Sequence, residues 1–322
     1  MVEDILPDIY RITLPLPRNP LREINTYVIL GEDRNLFVDT GMNRPECREV
    51  LDEGIEELGI DLSVTDVFVT HLHADHLGNA PRISGGKTNV YMGGPDIESI
   101  EETTYWSSML EYAVMNGFPN EDPEQAIKRH PGYRYGPLGP MKMVEVREGD
   151  RFDVGRYSFE AVFTPGHSKG HMCLYEREKK ILFSGDHLLD DITPNISLWE
   201  EGEDPLSDYL RSLGKVMKMD VDMVLPGHRR LIEDHRRRID DLIRHHEERA
   251  DEVEDILKDG ELTAFDTAAK MTWDMTYDSF HDFPIMQKWF ALGEAIAHLR
   301  YLDTQGRIKY GIGNGLIRYS LM

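Results

Sequence analysis

The chain has 322 residues, with 36 Lys and Arg against 59 Asp and Glu, and a formal net charge of −23. That balance repels nucleic-acid phosphates and anionic membranes, while 40% hydrophobic residues can fill a sizeable core and argue against disorder. No apolar stretch approaches the ~20 residues of a membrane span, the opening MVEDILPDIYR lacks a signal core, and two cysteines, Cys47 and Cys173, exclude a disulfide framework, so a soluble cytoplasmic protein is expected. Short β-branched and aromatic runs between turns predict strands at Ile9–Leu14, Thr26–Leu30, Leu36–Asp39, Val67–Thr70 and Asn89–Met92. Pro45 opens a helix that Val50, Leu51, Ile55 and Leu58 continue at helical spacing up to Gly59. Residues 95–135 read as a helical insertion rich in Tyr105, Trp106, Met109, Leu110, Tyr112, Met115 and Phe118, ending in a Pro- and Gly-rich loop. Further strands follow at Met143–Val146, Tyr157–Phe163, Met172–Tyr175, Ile181–Ser184 and Met223–Leu225. From Arg229 to Lys258 the pattern is a long charged helix with Leu231, Ile232, Ile239, Leu242, Ile243 and Val253 on its apolar face. Gly260 ends it, short helical patterns follow, and a hairpin is expected around Gly311–Gly315. The mixed order predicts sheets covered by helices.

The strongest chemical signal is His71-Leu72-His73-Ala74-Asp75-His76, directly after Val67-Phe68-Val69-Thr70. Imidazole and carboxylate suit Zn, Fe and related metals, and four such side chains in one short stretch are rare in packing. A polar turn with satisfied histidines is the alternative. The same local logic recurs three times: Thr164-Pro165-Gly166 precedes His167, Ser184-Gly185 precedes Asp186, and Leu225-Pro226-Gly227 precedes His228. Each apolar run stops at a glycine, which permits a tight turn and close backbone approach, and a ligand-type residue follows. Together they place the ligands at strand ends along one sheet edge.

The set THLHADH, TPGHS, SGDH and LPGH, with VDTG at Val38–Gly41, resembles the metallo-β-lactamase superfamily over roughly residues 8–230. The resemblance implies an α/β fold, a four-layer αββα sandwich, with a two-metal site between the sheets. Carried over residue by residue, it puts His71, His73 and His167 on one metal, Asp75, His76 and His228 on the second, and Asp186 as the bridge. Asp39 becomes an orienting residue behind the ligands. Two divalent ions follow, Zn first, with Fe or Mn as alternatives. They would make a bridging hydroxide at neutral pH, with Asp75 as proton carrier. The domains expected are a catalytic unit over 1–230, a connecting helix over 231–260 and a helical, winged-helix-like unit over 261–322.

Other residues carry two readings. His171 is a supporting or packing residue as much as a catalytic one, and His187 either touches substrate or completes a turn. Cys173 reads as a small core residue, and His245 and His246 as solvent-exposed on the charged helix. The aromatic and Met residues of 105–118 form either core or a lid over the metals that binds an apolar acyl group, with Tyr105, Trp106 and Met109 as first candidates. The leading function is hydrolysis of a small acyl compound (thioester, ester or lactone), as in glyoxalase-II-like and lactonase-like members. A second reading is a single-strand endoribonuclease, because HLRYLDTQGRIKY at His298–Tyr310 resembles the winged-helix tail of relatives with that activity. The charge and the short segment between Asp186 and His228 count against it, so nucleic acid is not the expected partner, and a homodimer stays open. An iron-dependent sulfur dioxygenase is the third reading.

Overall fold

The computed structural model describes residues 2–119, 123–274 and 277–322. Seven strands build the first sheet in chain order: β1 (Val2–Leu6), β2 (Ile9–Leu16), β3 (Arg22–Ile29), β4 (Asn35–Val38), β5 (Thr65–Phe68), β6 (Asn89–Gly93) and β7 (Lys142–Val146). Pairing is antiparallel from β1 to β4 and parallel from β4 to β7. Five strands make the second sheet: β8 (Arg151–Val154), β9 (Tyr157–Phe163), β10 (Met172–Glu176), β11 (Ile181–Gly185) and β12 (Met223–Pro226). All its pairs are antiparallel except the parallel β11–β12.

The two-residue period of a strand explains the layers. Leu36, Val38 and Phe68 face the second sheet, where Phe159, Ala161, Leu174 and Phe183 meet them. Their neighbours Phe37 and Val67 point the other way, onto Cys47 and Leu51 of α1 (Pro45–Glu57), Leu77 of α2 (Ala74–Leu77) and Ile83 of α3 (Ala80–Ser84). Val162, Cys173, Tyr175 and Leu182 leave the second sheet outward into a third cluster. Helix, sheet, sheet and helix therefore stack as the αββα sandwich that was expected, with sheets packed face to face.

The insertion contains α4 (Gly94–Glu101), α5 (Tyr105–Met115), α6 (Pro123–Arg129) and α7 (Pro131–Tyr135), and its residues 120–122 lie outside the described ones. The outer layer on the second sheet is α8 (Pro205–Val216) and α9 (His235–Ile256). A C-terminal helical unit follows: α10 (Ala264–Ala268), α11 (Ile285–Thr304) and a hairpin of β13 (Ile308–Gly313) and β14 (Leu316–Leu321). The hairpin turns on Asn314-Gly315, both at positive φ, as a two-residue turn demands. Its helices share one buried cluster with α5, α8 and α9, so the unit packs on the sandwich.

Four expectations change, the first at the Pro- and Gly-rich end of the insertion, which is helical as α6 and α7 rather than loop. Strands β1 and β8 were not anticipated, because both are short edge strands with charged residues on an exposed face. The long helix begins at His235 rather than Arg229, since Ile232 makes a bridge to Val224 and Asp234 caps the helix by accepting from the Arg237 backbone N–H. His246 is buried, not exposed: its ring stacks on His298 of α11 and meets Tyr209 of α8.

Candidate metal centre

Four strands of the two sheets stop along the same edge and hand the chain to short loops. β5 runs into Thr70-His71 and the turn of α2, β9 into His167, β11 into Asp186 and β12 into His228. The glycine before His228 has a steric reason: a Cβ on Gly227 would lie 2.7 Å from His76 Cε1 and 2.8 Å from Asp186 Oδ1. Gly166 combines a φ of +138° with a Cβ position 2.5 Å from the Tyr209 backbone.

These loops bring seven donors together. His73 Nδ1 lies 3.0 Å from both His71 Nε2 and His167 Nε2. Asp186 stands between the two halves, with Oδ2 3.5 Å from His167 Nε2 and Oδ1 3.3 Å from His76 Nε2 and 3.6 Å from His228 Nε2. Asp75 Oδ2 is 3.4 Å from His228 Nε2. Three groups could each hold an ion: His71, His73 and His167; His71, His76 and Asp186; Asp75, His76 and His228.

The donor set fits a metal. Ligand atoms at 2.0–2.1 Å in a tetrahedron stand about 3.3 Å apart, the spacing seen between these donors. His76 Nε2, His228 Nε2 and Asp186 Oδ1 are buried without a hydrogen-bond partner, although buried polar atoms are rarely left so. Behind the cluster, the opposite ring nitrogens are anchored. His76 Nδ1 donates to Asp39 Oδ2 at 2.7 Å, His167 Nδ1 to the Asn195 carbonyl at 2.9 Å, and His228 Nδ1 to the Glu23 carbonyl at 2.6 Å. His71 Nδ1 meets Thr70 Oγ1 at 3.1 Å, and that hydroxyl reaches Asp39 Oδ2 at 2.9 Å. Such bonds fix the tautomer that leaves the inward nitrogen free to ligate. Asp39, at a φ of +59°, also accepts from the Thr70 backbone N–H.

Electrostatics point the same way. Burial pushes the His71 imidazole down and His73 down to about 3, so both rings are neutral near pH 7, the form in which imidazole can ligate. Burial works against charge on His76 and His228 too, yet the carboxylates of Asp39, Asp186 and Asp75 outweigh it and hold both above the ordinary value. The Asp75 carboxyl falls to about 2: burial opposes ionisation, and His228 and His76 prevail. The carboxylates thus favour positive charge on the His76–His228 side, while burial keeps His71, His73 and His167 neutral donors.

The remaining candidates divide. His171 lies beneath the site, its ring stacked on His71 at 5.2 Å and its Nδ1 2.8 Å from Thr164 Oγ1. Tyr105 and Trp106 are half-buried, and Trp106 joins His130 and Tyr133 in an aromatic cluster that Phe290 of α11 extends. His130 is near enough to Asp75 to feel its charge, and α7 packs on α2, so this cluster borders the centre. Met109 does not belong to it: its side chain is buried in the outer core, because α5 turns that face inward with Tyr112 and Ala113. His187 is fully buried, its ring packed against Tyr209 and His171. Sequence reasoning passed over Asp96, whose buried carboxylate accepts from the Leu72 N–H, Ser168 Oγ and the Gly170 N–H, and Asn195, which holds His167. Thr70 had a signal, its place beside the first histidine; Asp96 and Asn195 had none.

The C-terminal segment, residues 259–322, matches the profile of the metallo-beta-lactamase-like, C-terminal domain. A metallo-beta-lactamase family protein of Thermus thermophilus superposes with a TM-score of 0.83 at 28% identity, covering 99% of this chain and 100% of that one. A beta-lactamase domain protein of Burkholderia ambifaria gives 0.86 at 27% identity, covering 100% of this chain and 94% of that one. The lactamase-like protein vrtG of Penicillium aethiopicum is 26% identical over 76% of this chain, and an atrochrysone carboxyl ACP thioesterase of Aspergillus fumigatus 26% identical over 73%. This chain spans 64% and 63% of the lengths of those two relatives. Residues 19–228, the greater part of the sandwich and every donor above, match the metallo-beta-lactamase superfamily, and the chain belongs to it.

Proposed function

We propose that this chain is a metal-dependent hydrolase that cleaves the acyl–sulfur bond of a small acyl thioester. The observation that carries the reading is the convergence of seven nitrogen and carboxylate donors with three buried atoms left unpartnered. His71, His73 and His167 would hold one ion, Asp75, His76 and His228 a second, with Asp186 shared between them. Two divalent ions, Zn by donor type with Fe or Mn as alternatives, supply Lewis acidity and a water acidic enough to attack at neutral pH when bound.

The protein's own groups do the rest. Asp75 is ionised at neutral pH, so its carboxylate accepts the proton of the attacking water and returns it to the departing thiolate. One oxygen–carbon bond forms, one carbon–sulfur bond breaks, and acid and thiol leave. Asp39 keeps the His76 ring aligned, and His171 supports His71 from below. Tyr105 and Trp106, with His130, Tyr133 and Phe290, offer an apolar wall for the acyl group. A thioester is favoured over an ester or lactone by the thioesterase name carried by relatives in three fungi. We read the C-terminal helices and hairpin as a winged-helix-like unit, packed on the outer core beside α5, α8 and α9. With a net charge of −23, a small acyl compound suits this protein better than nucleic acid.

The test is a screen of acyl thioesters, lactones and phosphodiesters on metal-replete protein, with Asp186→Ala as blank. Thioester turnover is expected to disappear in Asp186→Ala together with bound metal. Turnover confined to phosphodiesters, or oxygen uptake with a persulfide in place of hydrolysis, would overturn the reading.

A further inference from the structure

His71, His76 and His228 are anchored from behind by groups of the sandwich itself: Thr70, Asp39 and the Glu23 carbonyl. His167 is different. Its anchor, the Asn195 carbonyl, lies in a stretch between β11 and α8 that has no helix or strand of its own. A carbonyl on an irregular stretch stays put only if something else pins it.

That something is the C-terminal unit. Asn195 Nδ2 donates to Glu294 Oε2 of α11 at 3.3 Å, and the Ser197 hydroxyl holds the Asn195 side-chain oxygen. The Leu198 N–H donates to the Gly293 carbonyl at 3.1 Å. Trp199 stacks on Trp289 with centroids 4.4 Å apart, while Ile196 and Leu198 are buried in the outer core. The loop lies so close to α11 that a Cβ on Gly293 would meet Ser197 Oγ at 2.7 Å and Trp199 at 2.6 Å. Glu294 is held in turn: its Oε1 pairs with Arg249 of α9 at 3.1 Å. That guanidinium also bonds Glu252 and the Thr272 carbonyl and sits 4.5 Å over the Trp273 ring. One carboxylate therefore joins a fixed cation on one side to the loop that aims His167 on the other.

We propose that Glu294 is a positioning residue of the metal centre, acting through Asn195 to fix the His167 imidazole, so that the C-terminal unit sets the affinity of the site. The proposal rests on the reading of His167 as a metal ligand. Groups that orient a ligating histidine from behind typically govern metal affinity ten- to hundred-fold.

The experiment measures metal binding on the full chain by chelator competition, with the Co2+ absorption spectrum as a second readout. Glu294→Ala is expected to weaken one ion about ten-fold or more and to shift the Co2+ bands, leaving the other ion in place. Asn195→Ala keeps the Glu294–Arg249 pair and carries the same test should Glu294→Ala fail to fold. Ile317→Ala, a buried hairpin change away from this path, is expected to lower stability with metal affinity unchanged. If wild-type protein binds two ions and both Glu294→Ala and Asn195→Ala bind them with wild-type affinity and spectrum, the positioning role is refuted while the proposed function stands. If Ile317→Ala weakens metal as much as they do, the effect is general destabilisation and the proposal also fails. Wild-type protein that binds no metal would instead remove the reading beneath it.

Discussion

Asp96 illustrates how one side chain holds two loops in register. It opens α4 with its carboxylate fully buried, accepting from Leu72 N at 2.9 Å, Ser168 Oγ at 2.8 Å and Gly170 N at 2.7 Å. Leu72 lies between His71 and His73, and Ser168 follows His167, so the three bonds tie both histidine loops to one point. Burial raises its carboxyl pKa to about 6, against the pull of those three donors. Removing the acceptor leaves buried donors unpaired, at about 1–3 kcal/mol each. Asp96→Ala should thus lose at least about 3 kcal/mol in urea unfolding and bind metal more weakly. Asp96→Asn retains one oxygen acceptor and should fall between it and wild type. An Asp96→Ala protein as stable as wild type would mean that the loops are held by something else.

The contact between α9 and α11 brings a pH dependence with it. His298 Nδ1 donates to the Glu294 carbonyl at 2.8 Å, and its Nε2 faces His246 Nδ1 at 3.3 Å. Burial pushes His298 down to about 4 and His246 well below its ordinary value, with Arg249 adding to both and Glu252 opposing at His298. A histidine kept neutral in the fold takes up a proton on unfolding. Its contribution is complete above about pH 6.5 and is lost as pH falls toward 4. From about pH 7.5 to about pH 5.5, His298 alone should account for about 1 kcal/mol of lost stability. His298→Gln should flatten the stability–pH curve over that interval; an unchanged slope would assign the loss to other groups. This helix pair also marks the limit of what the chain discloses in one dimension. The strands leading to His71, His167, Asp186 and His228 are legible because each is a short apolar run stopped by a turn, and the candidate donors follow directly. The hairpin at Asn314-Gly315 is legible because only certain residues accept that turn. Burial of His246 is not, because the helix around it is strongly charged and the partner, His298, lies far along the chain. Glu294 and Asp96 are hidden for the same reason: their partners are backbone and side-chain groups that only the folded layers bring near. Met109 carries two readings in the sequence because aromatic and Met spacing on a helix fits a lid and a core equally well; the fold gives it the core.

Across the whole molecule, 59 acidic side chains against 36 Lys and Arg leave an unbalanced negative surface. Exposed ion pairs such as Arg82–Asp52 and Lys258–Asp255 offset little of it, since solvent-exposed pairs are worth about 0–1 kcal/mol. Added salt weakens those pairs, but it also screens the larger repulsion among unpaired carboxylates. Between about 0.1 M and about 1 M salt the screening length falls from about 10 Å to about 3 Å, shorter than most spacings between surface charges. The net effect should follow the excess charge, so the melting temperature should rise with KCl over that range. A neutral osmolyte at matched water activity separates this screening from general exclusion effects. Reversing the exposed residues Glu32, Asp33 and Glu57 to Lys reduces the imbalance without entering the core or the candidate metal centre, and it should raise stability at low salt while shrinking the response to KCl. A triple variant with the same salt response as wild type would show that KCl acts on the hydrophobic layers rather than on charge.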